Sequence, residues 1–350
     1  MPRLYFAVPG DIETRTGGTL YDRHIMEALR EDGWRVELLA WPGSFPFPSE
    51  ACRDEVEDSL AAVPDGSLIL IDGLAFGVLS GLARQHAQRL KLVALVHHPL
   101  ALETGLSPNI AAEFAASERE ALASVRAVIV TSQTTAAIVE AAFGVSGETI
   151  TVAPPGIEVA PQAPPEPRRP GPPRIFALGS VTPRKAHDVL VQALARVADL
   201  DWTCVIAGNI DRDPETAEAL GALIADLGLT DRIALVGEVT QAEAARLYAD
   251  ADLFALASVY EGFGMVFSEA LAFGLPIVAT TGGAIPEAVP QEAGLLVEPG
   301  DPDAFALALR SVLADPDLRL SLAEGARRAG EALTGWDVTA STISAALERL

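Results

Sequence analysis

Cysteine and lysine are scarce in this sequence, and their scarcity excludes several kinds of site. Only two of the 350 residues are cysteines, Cys52 and Cys204, and they have no metal-ligand spacing. We therefore expect two free thiols in a reducing compartment, not a disulfide framework or a zinc site. The only lysines are Lys91 and Lys185, so a lysine at a candidate phosphate site stands out against the many arginines.

Long apolar runs and excess positive charge are also missing. The longest uncharged stretch, 270–286, is interrupted by glycine and proline, and the first apolar run covers only 4–8, so neither a membrane helix nor a signal peptide is predicted. The net charge of −23 divides into −10 over 1–165 and −13 over the remainder. This charge disfavours nucleic acid as a partner and strong binding to anionic membranes. We expect a cytoplasmic protein of undetermined oligomeric state.

Apolar runs alternate with helical patterns along the whole chain, and 49% of the residues are apolar. Strands are predicted at 4–8, 35–39, 67–71, 92–96, 127–130, 149–152, 174–178, 202–207, 233–236, 253–257 and 277–279. Helices are predicted at 20–30, 108–124, 187–198, 215–227, 241–249, 267–273 and 336–350. Near-continuous apolar strands separated by helices predict α/β domains with parallel sheets covered on both faces.

The composition changes once, between 154 and 173, where nine of twenty residues are proline. Such a density predicts a semi-rigid linker. We therefore predict an acceptor-side Rossmann-like domain over 1–160 that includes a C-terminal helix at 336–350. A linker over 161–173 would join it to a second Rossmann-like domain over 174–335. Ligands are expected at the carboxyl ends of the strands, in a central cleft that the two domains face.

The most informative motif is the segment 258–269, SVYEGFGMVFSE, which follows a predicted strand and begins a helix. Glu261 and Glu269 are separated by seven residues and could hold two hydroxylated parts of one ligand. Gly262 and Gly264 let the backbone approach that ligand closely. A capping glutamate and a solvated helix glutamate would be the alternative, but the glycines and the strand-to-helix position weigh against it.

Two further loops follow predicted strands. The segment 179–185, GSVTPRK, carries Arg184 and Lys185 where cations could meet a diphosphate; the alternative is a solvated pair on an exposed loop. In the first half, Gly17 and Gly18 permit a tight turn whose amides could face a phosphate or a sugar.

Two histidines, His97 and His98, end a buried strand, where they could face a ligand or only make structural hydrogen bonds. A metal site there is disfavoured, because no third ligand stands nearby in the sequence at a suitable spacing. Glu103 and Glu120 could line an acceptor pocket, although solvated helix-surface positions are favoured for both.

The block from 258 to 269, with the following ALAFGLPIVA and the Gly282-Gly283…Glu287 segment, resembles the family 4 retaining glycosyltransferases of GT-B fold. The resemblance covers essentially the whole chain. It implies transfer of a hexosyl group from a nucleotide-diphosphate sugar, UDP- or GDP-linked, to an acceptor hydroxyl, with no metal or other cofactor. A GT-B epimerase or phosphorylase, or a non-catalytic sugar-nucleotide binding protein, remains the alternative, whereas a dehydrogenase lacks its G-x-G-x-x-G turn.

The resemblance also implies roles for individual residues. Glu261 would contact the hexose hydroxyls and Glu269 the ribose, while Lys185 with Arg184 would neutralise the diphosphate. His97, or as second choice His98, would contact the hexose. The backbone amides that would lie along the donor are those of Gly262, Phe263, Gly264 and Met265, with Gly17 and Gly18 in the first half.

This chain departs from the family pattern at two positions of the phosphate loop. Ser180 stands where an arginine is common, so Arg184 is its expected substitute, and Ala186 stands where glycine is usual. Glu287 belongs to the pattern but has no assigned role.

Overall fold

The computed structural model describes residues 2–158 and 171–350. The chain forms two compact units. The first contains the residues up to Gly156 together with Thr334–Leu350, and the second spans Ile157–Leu333. Most of the predicted linker over 161–173 lies outside the described residues.

The first unit contains a parallel sheet whose central strands are buried on both faces. Its strands are β1 Arg3–Pro9, β2 Arg35–Trp41, β3 Leu68–Asp72, β4 Lys91–Val96, β5 Ala127–Val130 and β6 Ile150–Val152. Its helices up to this point are α1 Gly17–Glu31, α2 Glu50–Ala62, α3 Gly73–Phe76, α4 Ser80–His86, α5 Pro108–Leu122 and α6 Gln133–Phe143. The strand order is β2-β1-β3-β4-β5-β6, and every residue of β3, LILID, is buried.

The second unit repeats this architecture. Its strands are β7 Arg174–Leu178, β8 Thr203–Ala207, β9 Ile233–Gly237, β10 Leu253–Leu256, β11 Ile277–Thr280 and β12 Gly294–Val297. Its helices are α7 His187–Ala195, α8 Pro214–Asp226, α9 Gln241–Asp250, α10 Met265–Ala272, α11 Ile285–Ala288, α12 Pro302–Ala314 and α13 Pro316–Glu331. The parallel strands have the order β12-β11-β10-β7-β8-β9.

The last helix, α14 Trp336–Leu347, belongs to the first unit. It packs on α1, and Ser344 Oγ accepts a hydrogen bond from Trp34 Nε1 at 2.9 Å. Thr339 Oγ1 donates to Pro154 O at 2.8 Å. These two hydrogen bonds attach the last helix to Trp34 and Pro154 of the first unit.

The predicted fold class, α/β with two Rossmann-like parallel-sheet domains, is confirmed by the two six-stranded sheets of the described residues. Eight elements of the described residues escaped prediction, which are strand β12 and the helices α2, α3, α4, α6, α11, α12 and α13. Two of them, α12 and α13, are separated only by Asp315, which caps the start of α13 with its carboxylate and is followed by Pro316 as the first helical residue. Across the described ranges, no helix combines the length and apolar character needed to span a membrane.

Candidate functional site

The segment 258–269 forms the turn between β10 and α10, and a neighbouring loop fixes its backbone. Glu261 forms an isolated parallel bridge with Gly283, and the N–H of Ala284 donates to Glu261 O at 2.9 Å. A Cβ on Gly283 would lie 2.3 Å from that carbonyl oxygen, and the φ of this residue is +64°. Position 283 therefore requires glycine, because any larger residue would displace Glu261.

The Glu261 carboxylate is buried and accepts hydrogen bonds at both oxygens. Lys185 Nζ donates to Oε1 at 2.6 Å, and Ser258 Oγ donates to the same oxygen at 2.6 Å. Arg184 Nη1 donates to Oε2 at 3.1 Å. Burial alone would raise the pKa of Glu261, but the charges of Lys185 and Arg184 outweigh it and lower the pKa to about 2. Glu261 is therefore ionised throughout the physiological range.

The structure corrects the expectation that Lys185 belongs to an exposed loop. Only 14% of its side chain is accessible, and its ammonium group pairs with Glu261. Arg184 is also tied to the 258–261 segment, since its Nη1 donates to Tyr260 O at 2.9 Å and its carbonyl accepts from the N–H of Val259 at 2.8 Å. The two loops thus form one hydrogen-bonded unit.

The loop that carries these cations has a constrained backbone. Ala186 adopts the left-handed conformation, with a φ of +47°, which explains why glycine would suit this position. His187 Nε2 hydrogen-bonds Gly179 O at 3.0 Å, and burial lowers the pKa of His187 to about 4, so this imidazole is neutral. A Cβ on Gly208 would lie 1.9 Å from the same carbonyl oxygen. The segment 179–187 is therefore closely packed at its start and at its end.

Two cations share one carboxylate in this cluster. Arg184 and Lys185 both pair with Glu261, and the charge of Arg212 also acts on Lys185. Cations grouped in this way are suited to bind an anion such as a diphosphate.

Glu269 lies on α10 and is half-buried. Tyr248 OH donates to its Oε2 at 2.8 Å, and burial raises the pKa of Glu269 above its usual value. The predicted amide-bearing residues, Gly262, Phe263, Gly264 and Met265, lead into this helix. Gly264 has a φ of +92°, and the first amides of α10 lack intrahelical acceptors.

In the first unit, the glycine loop and the histidine strand end meet. Gly17 and Gly18 begin α1, which Thr16 and Thr19 cap reciprocally. A Cβ on Gly18 would lie 3.5 Å from the ring of His97, so the predicted glycine and histidine are neighbours.

His97 contacts two buried aspartates that sequence reasoning missed. Its Nε2 lies 2.9 Å from Asp22 Oδ1 on α1 and 3.3 Å from Asp72 Oδ2 at the end of β3. Burial would lower the pKa of His97, but these carboxylates outweigh it and raise the pKa to about 10. Burial and the charge of Asp72 raise the pKa of Asp22 to about 7.

These three residues also correct the argument that no third ligand lies near His97. Their donor atoms all lie within 4.8 Å of one another, close enough to surround one ion. The two carboxylate oxygens, however, lie at hydrogen-bonding distance from Nε2, which suits a proton at that nitrogen. Independence from metal stays a prediction.

The remaining candidates make other contacts. His98 Nε2 is 3.9 Å from Glu103 Oε2, and Glu120 pairs with Arg84 at an exposed position. Glu287 is exposed on α11. Of the residues without a predicted role, Asp72 ends an otherwise apolar strand and Ser258 begins the segment 258–269, so both had a signal in the sequence; Asp22 and Tyr248 had none.

Comparison with known proteins supports this description. The profile of the family "Glycosyl transferases group 1" matches residues 160–329, and that of "Glycosyltransferase Family 4" matches 65–160. The MMP alpha-(1->4)-mannosyltransferase of Mycolicibacterium hassiacum is 30% identical over 323 residues, covering 88% of this chain and 76% of that protein.

Other relatives align over less of their length. The D-inositol 3-phosphate glycosyltransferase of Xylanimonas cellulosilytica is 32% identical over 241 residues, which cover 65% of this chain and 57% of that protein. The enzyme of the same description from Salinispora arenicola is 38% identical over 178 residues, covering 47% of this chain and 39% of that protein. The chain thus spans about half the length of these two relatives.

Solved structures share the fold. Sucrose-phosphate synthase from Thermosynechococcus elongatus has a TM-score of 0.83 at 21% identity, with 100% of this chain and 99% of that chain covered. Anabaena HepE in complex with UDP-glucose has a TM-score of 0.77 at 19% identity, with 99% and 100% covered. With the family profiles and the mannosyltransferase alignment, these findings confirm the resemblance seen in the sequence: the chain belongs to the group 1 and family 4 glycosyltransferases, which have the GT-B fold.

Proposed function

We propose that this protein transfers a hexosyl group from a nucleotide-diphosphate sugar to an acceptor hydroxyl, with retention of anomeric configuration and without a metal ion. The observation that carries the proposal is the cluster of Glu261, Lys185 and Arg184. It combines a buried, ionised carboxylate with two cations on one rigid pair of loops. A carboxylate suits sugar hydroxyls, and the two cations suit a diphosphate.

The chemistry assigns a task to each group. When the bond between the anomeric carbon and the phosphate oxygen breaks, negative charge grows on the leaving nucleoside diphosphate. Lys185, Arg184 and the amides of 262–265 stabilise that charge. The acceptor oxygen forms the new bond on the same face of the sugar, and the leaving phosphate takes the acceptor proton. Glu261 contacts the hexose and Glu269 the ribose.

Relatives indicate which donors and acceptors to test first. One relative is described as a mannosyltransferase, several as D-inositol 3-phosphate glycosyltransferases, and HepE was solved with UDP-glucose. We therefore propose a UDP- or GDP-hexose as donor, and inositol phosphates as the first acceptors to screen.

Thermal-shift screening with UDP-, GDP- and ADP-sugars tests donor binding, since a ligand that binds only the folded state raises the melting temperature. Release of nucleoside diphosphate is then measured with and without acceptor, and NMR determines the anomeric configuration of the product. Release that requires acceptor, persists in EDTA and retains configuration supports the proposal. Release at the same rate without acceptor, or activity lost in EDTA and restored by Mg²⁺, would contradict it. Co-sedimentation with anionic vesicles tests the further expectation of no strong membrane binding.

A further inference from the structure

The environment of His97 determines which of its nitrogens remains for a ligand. Asp22 and Asp72 are almost completely buried, and both present an oxygen to Nε2, at 2.9 and 3.3 Å. Carboxylate oxygens of ionised groups only accept hydrogen bonds. With the aspartates ionised, two oxygens at these distances place the hydrogen on Nε2, and Nδ1 is the nitrogen that remains.

The two aspartates are held in different ways. Asp72 Oδ1 accepts the N–H of Leu74 at 2.7 Å, which caps α3 and turns Oδ2 toward the imidazole. Asp22 projects from α1, next to Tyr21, whose ring meets the His97 ring edge-on at 5.0 Å. Tyr21 OH is itself anchored on Ala153 O at 2.8 Å. The imidazole thus faces two carboxylates at Nε2 and the Tyr21 ring at its side.

The His97 side chain is not completely buried. His97 keeps 21% of its side-chain accessibility, and Nδ1 makes no hydrogen bond within the described ranges 2–158 and 171–350. The titratable groups that contact His97 are Asp22 and Tyr21 from α1 and Asp72 from β3. Among them only the aspartates pair with the ring, and both favour its charged form.

We propose that Asp22 and Asp72 are positioning residues that keep His97 as an imidazolium, with Nε2–H directed inward and Nδ1–H free to donate to an oxygen of the transferred sugar. His97 is then a hydrogen-bond donor and not a proton acceptor. The ligand part of this inference rests on the proposed function. The protonation state and the orientation are properties of the ligand-free protein.

Side-chain NMR tests the protonation state without any ligand. With five histidines in the chain, long-range ¹⁵N–¹H spectra are simple to assign with the help of His97→Gln. We expect both His97 nitrogens to stay protonated from pH 6 to about 9, and Asp22→Asn or Asp72→Asn to lower the pH of deprotonation by about one unit or more. Asp58→Asn, at an exposed position on α2, is the matched control and leaves the titration unchanged.

A pH profile tests the role in the reaction. With the donor identified by thermal shift, wild-type kcat is expected to stay level from pH 6.5 to 9, whereas that of Asp22→Asn falls about tenfold or more across the same range. The thermal shift given by the nucleoside diphosphate of that donor should be the same in both proteins. If none of the UDP-, GDP- and ADP-sugars shifts the melting temperature of either protein, the proposed function fails while the NMR result stands by itself.

Three results would overturn the inference. One is a neutral His97 at pH 7.5 in the wild type, which requires no variant to fold. Another is an unchanged His97 titration in both asparagine variants. The third is loss of the Nε2–H signal on addition of Zn²⁺ or Mg²⁺, since Nε2 would then be a metal ligand.

Discussion

The two buried ion clusters have opposite compositions. In the first unit two carboxylates, Asp22 and Asp72, surround one imidazole, whereas in the second unit two cations surround the single carboxylate of Glu261. The first cluster reaches balance by retaining protons, and the pKa values of Asp22 and His97 are both raised. In the second, two cations share one carboxylate, whose pKa is lowered. The difference suggests that one cluster orients a side chain and the other receives a charged ligand.

The largest expected effect tests the two cations. Lys185→Ala should reduce turnover about 10²–10³-fold, the range for loss of one charge-stabilising group. Because Lys185 is mostly buried and paired with Glu261, the melting temperature should also fall. Lys91→Ala is the matched control, since Lys91 is the other lysine and is exposed at the start of β4. Full turnover in Lys185→Ala would show that the leaving diphosphate is stabilised elsewhere.

The pH dependence of stability should separate the two clusters by sign. The pKa of Glu261 is about 2 against a usual 4.5, so its stabilisation is present above pH 4.5 and is lost as the pH falls toward 2. A shift of this size corresponds to about 3 kcal/mol. The raised pKa values of Asp22 and His97 act oppositely: stabilisation is lost as the pH rises, through about 7 for Asp22 and about 10 for His97.

Urea unfolding between pH 3 and 10 measures this difference. The difference in unfolding free energy between wild type and Glu261→Gln should narrow as the pH falls below 4.5. The difference between wild type and His97→Gln should be largest below pH 6.5 and narrow progressively as the pH rises toward 10. If both differences in unfolding free energy grow or shrink together as the pH rises, the charge assignment of one cluster is reversed.

The next effect concerns the backbone that fixes Glu261. Gly283→Ala should reduce the free energy of unfolding by about 2 kcal/mol or more, because a Cβ there meets the Glu261 carbonyl and the φ is positive. Gly221→Ala is the matched control. This glycine lies in α8 with no atom within 4 Å of a built Cβ, and the substitution should stabilise the protein by about 0.5–1 kcal/mol. If Gly283→Ala and Gly221→Ala change the free energy of unfolding equally, close packing against the Glu261 carbonyl is not what requires glycine at position 283.

The smallest expected effect is the difference between the kinetic constants of the Glu261 and Glu269 variants. Glu269→Ala should raise the donor KM about tenfold with kcat little changed, since the ribose does not change during the reaction. Tyr248→Phe, which removes the hydrogen bond to Glu269, should shift KM in the same direction by less. Glu261→Ala should instead lower kcat, because the hexose gains positive charge in the transition state. Their effects need not add, as both lie on one loop-helix element.

If Glu269→Ala lowers kcat at constant KM while Glu261→Ala only raises KM, the two roles are reversed. If neither variant changes either constant, the segment 258–269 is not the donor site. Steady-state kinetics at saturating acceptor decides between these outcomes.

Sequence reasoning succeeded wherever the signal was local. Every strand of the described residues except β12 was predicted, because buried parallel strands are continuous apolar runs, as in β3 and β10. The Glu261 motif was found because its glycines and its two glutamates lie within twelve residues. Sequence reasoning failed to predict contacts between distant segments. Asp22, Asp72 and His97 belong to three separate segments, and nothing in the sequence around each of them indicates that they meet.

The sequence by itself determined the fold class, the family and the candidate residues of the donor motif, because periodicity and closely spaced glycines impose local structure directly. Only the tertiary structure decided that Lys185 is buried against Glu261 and that His97 lies between two carboxylates. The physical reason is that a pKa depends on burial and on charges within a few ångströms, and the carboxyl ends of separate parallel strands bring such charges together whatever their separation along the chain.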